Sequence, residues 1–243
     1  MFSYEEIQKY SETDIRIYKY IVSNFDKIQY MTIGELANEV QVSTSTILRF
    51  CNKNSFEGYS EFKDALKKEI TLLQKYNALA YEETDLKNSI LKELFGEIGT
   101  KVSVASPFIC DYGLNIYIGN NVSINMNCTF VDCNRITIGD DVLIASNVQL
   151  YTAAHPIEFA ERYVENPETG QLHRQTYALP IKIENGCWLG GGVIVLPGVT
   201  IGDGSVIGAG SVVTKDIPQN SLAVGNPCHV IRKINVEEQC CLK

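Results

Sequence analysis

The stretch Ile183–Pro218 reads, in sixes, IENGCW, LGGGVI, VLPGVT, IGDGSV, IGAGSV and VTKDIP. Its first slot holds Ile183, Leu189, Val195, Ile201, Ile207 and Val213 without a slip. Small or turn-forming residues follow that slot, and small or β-branched residues dominate the fifth. An amphipathic helix repeats its apolar residues at three and four, and a half-exposed strand at two. A period of six fits neither. It predicts short strands joined by tight turns, each hexad adding one flat side to a parallel β-helix. One branched aliphatic per side then points inward, and glycine supplies turn dihedrals that a side chain would block. The period sets an architecture and carries no chemistry of its own.

Working outward, a second apolar ladder precedes the first. Ile118, Ile124 and Phe130 lie six apart and, after a two-residue slip, so do Ile138, Ile144 and Leu150. Between the ladders, PIEFAERYVENPETGQLHRQTYAL (156–179) is polar and has no repeat. A long loop leaving a rigid solenoid reads as a binding or lid element. Upstream, Asp85 is expected to cap a helix through Leu86, Ile90, Leu91 and Leu94, with Gly96 at its end.

Residues 1 to about 77 have a helical pattern. Ser11 with Asp14, and Thr32 with Glu35, have the spacing of capping boxes. Ile15, Tyr18, Ile21 and Val22 form one apolar face. Ser43 is the expected N-cap of a helix over 44–53, and Ser60 opens a further one carrying Phe62, Leu66, Ile70 and Leu73. Two short helices meeting at a tight turn near Gln41 and Val42 make a helix-turn-helix. The predicted fold class is therefore an all-α helix-turn-helix bundle over 1–77 followed by a parallel β-helix over 78–243, with a loop at 156–180.

With 45% hydrophobic residues, the 243-residue chain has ample material for a core. No apolar run approaches the ~20 residues of a membrane span, and the polar start MFSYEEIQKY is not that of a signal peptide. Eight cysteines without a CxxC pair indicate reduced, buried thiols of a cytoplasmic protein rather than disulfides or a zinc site. A net charge of −8 gives no global attraction to a polyanion.

His155, in YTAAHP, closes the upstream ladder where the long loop departs. A histidine there can serve as a general base, because its pKa lies near working pH. A corner histidine bonded to a carbonyl is the plainer alternative.

Two resemblances add to these readings. The run MTIGELANEVQVSTSTILRFCNKNSFEGYSEFKDAL resembles the N-terminal domain of the RpiR family of bacterial regulators, over roughly residues 10 to 70. It implies that the second helix of the motif enters a DNA major groove, with Thr44, Ser45, Thr46 and Arg49 as contacting side chains. The charges of this region nearly cancel, whereas DNA-binding domains usually show a basic stripe. A retained fold serving packing or assembly is the other reading.

From about Tyr76 to Ile234 the chain resembles the maltose and galactoside O-acetyltransferases. The shared features include YN at 76–77, KELFG at 92–96, CDYG at 110–113, INMNC at 124–128, ITIGDDVLIASNVQLYTAAHP, the hexads, and AVGNPCHVIRKI. The resemblance implies a left-handed, three-sided β-helix assembled as a homotrimer. Acetyl-CoA would be a co-substrate lying between neighbouring subunits, with no permanently bound cofactor and no metal. His155 matches the family's catalytic base, acting on a hydroxyl of a sugar or similar small acceptor. Asp111, Asn125 and Asp132 fall at acceptor positions. Trp188, Gly191, Ala209, Thr214, His229 and Arg232 fall along the CoA groove, with a backbone N–H of the Gly190–Gly192 turn facing the developing oxyanion.

The departures bear on the acceptor. Cys133 stands where galactoside enzymes have a second consecutive aspartate. His229 stands where another phosphate-contacting arginine is usual, and the loop after His155 is longer than usual. The readings left open are an enzyme, a regulator whose β-helix senses acetyl-CoA or a sugar, and a fusion in which both halves work. Symmetry weighs on the second: a three-fold assembly cannot dock all its helix-turn-helix units equivalently on one two-fold operator.

Overall fold

The computed structural model describes residues 9–165 and 172–234. The chain divides into two compact units, one of residues 1–74 with 153–177, the other of residues 75–152 with 178–243.

The first unit is helical. Its elements are α1 (Glu12–Ser23), α2 (Phe25–Ile28), α3 (Ile33–Val40), α4 (Thr44–Lys53) and the start of α5 (Tyr59–Ala78). Both expected capping boxes form. Ser11 Oγ accepts from the Asp14 amide at 3.2 Å, and Asp14 Oδ2 accepts from the Ser11 amide at 2.9 Å. Thr32 and Glu35 repeat the exchange at 3.2 and 2.7 Å. Ser43 Oγ caps α4 through the Thr46 amide. Between α3 and α4, Gln41 takes a left-handed φ of 56° and the Val42 amide returns to the Ala37 carbonyl, which makes the tight turn of a helix-turn-helix. Ile17, Ile21, Ile28, Leu36, Ile47, Phe50, Phe62 and Leu66 are buried in its core. Ile15, expected on the buried face of α1, is instead 36% exposed. The side chains of Val22 and Ile70 lie outside the described residues.

Residues 153–177 belong to this unit. Their described part includes one helical turn (Phe159–Arg162) and an antiparallel strand pair. Its strands pair Tyr163 with Arg174, Val164 with His173 and Glu165 with Leu172.

The second unit opens with the end of α5 and with α6 (Thr84–Leu94). Asp85 sits in the first turn of α6, and the N-cap is Glu83, which makes no side-chain cap bond. Gly96 does not need a left-handed φ. A Cβ there would meet the Leu114 carbonyl at 2.3 Å, so close approach of the next coil demands the glycine. The YN pair is also explained: Tyr76 OH donates to the Val104 carbonyl, and the Asn77 amide exchanges bonds of 2.7 and 2.9 Å with the backbone of Phe108. Ile90, Leu91, Leu94 and Phe95 are buried with this end of the core, where Phe95, Phe108 and Phe130 meet edge to face.

The rest is a left-handed parallel β-helix with three faces. The first face runs Glu97–Ile98, Ile116–Ile118, Ile136–Ile138, Ile181–Ile183 and Thr200–Ile201. The second runs Ser103–Val104, Ser123–Ile124, Leu143–Ile144, Trp188–Leu189, Val206–Ile207 and Ser221–Val224, closed by antiparallel His229–Lys233. The third runs Phe108–Cys110, Cys128–Val131, Gln149–Tyr151, Ile194–Val195 and Val212–Val213. The six first-slot residues of the hexads and the six of the upstream ladder are each exposed by 3% or less. At about 1.5–3 kcal/mol for each buried aliphatic or aromatic side chain, this column is the main source of stability.

The corners explain the polar slots. Between the first and second faces, a carboxamide or carboxylate on one coil accepts from the backbone amide of the coil before it: Asn120 from Thr100, Asp140 from Asn120, Asn185 from Asp140 and Asp203 from Asn185, at 2.6–3.0 Å. Between the second and third faces, Asn127, Asn147, Gly192 and Gly210 occupy one left-handed position, with φ of 61–71°. Asparagine and glycine are the residues that tolerate it. Among the described residues no helix is long and apolar enough to cross a membrane.

Candidate active site

The corner between the second and third faces holds two of the residues expected along the CoA groove, Gly191 and Ala209. Asn125, Ala145, Gly190 and Gly208 follow one another on successive coils, each amide donating to the coil above. Gly190 is fixed by packing, since a Cβ there would lie 2.6 Å from the Ala209 nitrogen. At Gly191 a Cβ would meet only the Ser146 carbonyl, at 3.4 Å, so the coil itself does not require that glycine. The flanking amides of Gly190 and Gly192 donate to the Ile207 and Ser146 carbonyls. No hydrogen bond from the Gly191 amide is found among the described residues, which leaves that N–H for a ligand. Ala209 is exposed beside it. On the adjoining second face, Trp188, Val206, Leu222 and Arg232 are paired in register, giving a row with an aromatic ring at one end and a guanidinium at the other. Trp188 is 53% exposed, so its ring is not part of the core. His229 is exposed at the start of the closing strand.

Thr214 stands apart, exposed at the next corner, between the third and first faces. Asp111 and Asp132 occupy that same corner on earlier coils. Asp132, expected to touch the acceptor, is completely enclosed. Its Oδ1 accepts from the amides of Asp111 and Tyr112, both at 2.9 Å, while Oδ2 has no hydrogen-bond partner. Burial pushes its pKa up to about 7, and the Asp111 charge adds to the rise against the lowering effect of the two amides. Asp132 is therefore a positioning residue that shapes the Asp111 turn. Asp111 itself is exposed, and Cys133 Sγ donates to its Oδ2 at 3.3 Å. Burial and the neighbouring carboxylates push the Cys133 thiol up.

His155 is exposed at the start of the excursion, and its Nδ1 lies 2.7 Å from the Gln175 carbonyl. A carbonyl only accepts, so the neutral ring carries its proton on Nδ1 and presents a lone pair at Nε2. The carbonyl bond expected of a plain corner histidine is therefore present, and it leaves Nε2 without a proton in the neutral ring. Gln175 is held in turn by its amide, which donates to the Arg162 carbonyl at 2.8 Å. Nothing in a polar, aperiodic loop marks Gln175 in the sequence, because its role is that of a backbone carbonyl.

In the helical unit, Thr44, Ser45 and Arg49 are exposed on α4 and Thr46 is half-buried. Arg49 Nη2 donates to Thr46 Oγ1 at 3.3 Å. Lys53 is drawn away to Asp14, at 2.7 Å.

Comparison with known proteins matches both parts. Residues 4–72 match the helix-turn-helix domain of the rpiR family, and residues 180–215 match six repeats of the bacterial transferase hexapeptide. The galactoside O-acetyltransferase of Escherichia coli K12 is 46% identical over 165 residues, which are 68% of this chain and 77% of that protein. The crystal structure of a maltose O-acetyltransferase from Clostridium difficile 630 is 47% identical, with a TM-score of 0.63, covering 70% of this chain and 86% of the other. A hexapeptide-repeat acetyltransferase from Vibrio cholerae, solved with acetyl coenzyme A, is 36% identical with a TM-score of 0.64, covering 72% and 90%. With relatives 46% and 47% identical matched over more than two thirds of their own length, the chain belongs to the galactoside and maltose O-acetyltransferase family of hexapeptide-repeat acetyltransferases.

Proposed function

We propose that the chain transfers an acetyl group from acetyl-CoA to a hydroxyl of a sugar or similar small acceptor, with His155 as general base. The β-helical part, 78–243, carries the reaction, and 1–77 is a separate helix-turn-helix domain. The observation that carries this reading is the Gln175 carbonyl on His155 Nδ1, which leaves Nε2 basic. Nε2 takes the proton of the acceptor hydroxyl as its oxygen attacks the thioester carbonyl. The carbonyl oxygen, gaining charge, is met by the Gly191 N–H. Collapse expels the CoA thiolate, which recovers the proton from His155. The groove residues Trp188, Gly191, Ala209, Thr214, His229 and Arg232 hold the co-substrate, and Asp111 and Asn125 orient the acceptor. The solved complex of the Vibrio cholerae relative with acetyl coenzyme A supports this choice of donor.

The separation of the corners supports an assembly of several copies, read here as a homotrimer. Asn125 lies at one end of the third face and Asp111 and Asp132 at the other. The four-residue strand Cys128–Val131 between them spans about 13 Å at ~3.3 Å per residue. One acceptor cannot lie against both ends in one subunit, so a neighbouring copy completes the site. Free, buried cysteines, six among the described residues, support a reducing cytoplasmic setting.

A second reading has its own observation. Thr44, Ser45 and Arg49 project from the second helix of a well-formed helix-turn-helix, which supports duplex DNA as a partner. The enzyme reading is tested by incubating the full chain with acetyl-CoA and a panel of sugars. Free CoA thiol should appear only with an accepted sugar, and that sugar should gain one acetyl group in mass. No thiol above the acceptor-free background across the panel contradicts it.

A further inference from the structure

Beside His155 the 153–177 segment has an open surface cavity of about 490 Å³, lined by His155, Pro156, Ile157, Arg162, Tyr163 and Arg174. That volume falls in the ~300–1,000 Å³ range of small-molecule sites. Two guanidinium groups line it and no carboxylate does. The carboxylates of the same segment, Glu158, Glu161 and Glu165, are absent from its wall.

The construction is specific. Arg162 Nε and Nη2 donate to the carbonyls of Pro156 and Ile157, at 2.9 and 2.6 Å, which closes the turn directly after His155. Those bonds use two of its five N–H groups, and no carboxylate is paired with it among the described residues. Arg174 faces Tyr163 across the hairpin. Arg174 also borders a larger cleft that includes Glu12, Glu39 and Glu165. No ion pair to any of them, and no side-chain hydrogen bond from Arg174, is found among the described residues. The strand that carries Arg174 leads straight into Gln175, the residue that orients the base. A positive, unpaired site and the catalytic nitrogen are thus tied to one hairpin.

We propose that this cavity takes a negatively charged group of the acceptor, so that the acceptor is an anionic sugar, a uronic acid or a sugar phosphate, rather than a neutral one. The inference rests on the acetyl-transfer reading. A planar fork of donors suits a carboxylate or a phosphate equally, and the test separates the two.

The test compares glucose, glucuronate and glucose 6-phosphate as acceptors for the full chain at low salt, by thiol release. One of the anionic sugars should exceed glucose in kcat/KM by about tenfold, the effect of a single charge-assisted contact. Arg174→Gln should lower the ratio of anionic to neutral kcat/KM by about tenfold, chiefly through the KM of the acceptor, and Arg174→Lys should restore part of it. Equal use of glucose and both anions by the unaltered protein would overturn the proposal. So would an Arg174→Gln variant that lowers all acceptors equally, or one whose defect falls on the KM of acetyl-CoA. If no acceptor releases thiol, the acetyl-transfer reading has failed and calorimetry judges the cavity alone. Binding of glucuronate or glucose 6-phosphate that weakens about tenfold in Arg174→Gln supports the site, and no binding of either overturns it.

Discussion

Replacing Asp132 tests how the corner that carries Asp111 is built. Its Oδ1 holds two backbone amides, and its Oδ2 has no partner. Asp132→Asn keeps an oxygen for both amides and removes a carboxyl that resists ionisation. Asp132→Ala leaves both donors unmet inside a buried corner, at about 1–3 kcal/mol each, so about 2–6 kcal/mol in total. Urea unfolding at pH 7 should place the two variants several kcal/mol apart, with Asn at least as stable as the unaltered protein.

The pH dependence gives a second readout with a definite sign. The ordinary carboxyl value is 3.8 and the folded value about 7. Between them the folded protein keeps a proton that the unfolded chain has released. The stabilisation is therefore fully present below the unfolded value and is lost as pH rises through about 7. The upper limit is about 4 kcal/mol, from roughly three pH units at ~1.4 kcal/mol each. Between pH 4 and 8 the unaltered protein should lose stability relative to Asp132→Asn. A difference that stays flat with pH, or an Asn variant as unstable as the Ala variant, would refute the account of this corner.

Two further predictions concern the coils and the helical domain. Gly190→Ala puts a Cβ 2.6 Å from the Ala209 nitrogen and 3.0 Å from the Ile207 carbonyl, and should cost about 1–3 kcal/mol in chemical denaturation, whereas Gly191→Ala, whose Cβ would meet the Ser146 carbonyl at an ordinary 3.4 Å, should cost far less. If the helix-turn-helix engages DNA, duplex binding measured by fluorescence anisotropy should fall steeply with salt, and Arg49→Ala should weaken it further; salt-independent binding, or no effect of the variant, would count against that reading.

The hexads made the β-helix legible because an inward aliphatic every six residues is a strict geometric demand, met by Ile183 through Val213 without exception. The capping boxes were legible for a similar reason: Ser11 with Asp14 and Thr32 with Glu35 act within four residues of chain. What escaped is non-local or lies in the backbone. Gly96 suggested a helix end but answers to the Leu114 carbonyl on another coil. Asp132 falls at an acceptor position by resemblance, yet its carboxylate is enclosed and holds the amides of Asp111 and Tyr112, contacts made across coils. Ile15 fits an apolar stripe by spacing, but Ile17 is the residue that enters the core. In the excursion, the orientation of His155 depends on the carbonyl of Gln175, and any residue type offers a carbonyl. The pairing of Arg162 and Arg174 in one cavity depends on a hairpin register that no period announces.

The central claim is that His155 removes the proton from the acceptor. It is tested most directly by the turnover of His155→Ala, with saturating acetyl-CoA and the sugar identified by thiol release. Loss of a positioned base should lower kcat by about 10²–10⁴-fold, with the circular dichroism spectrum unchanged. A variant that turns over at the rate of the unaltered protein would contradict it.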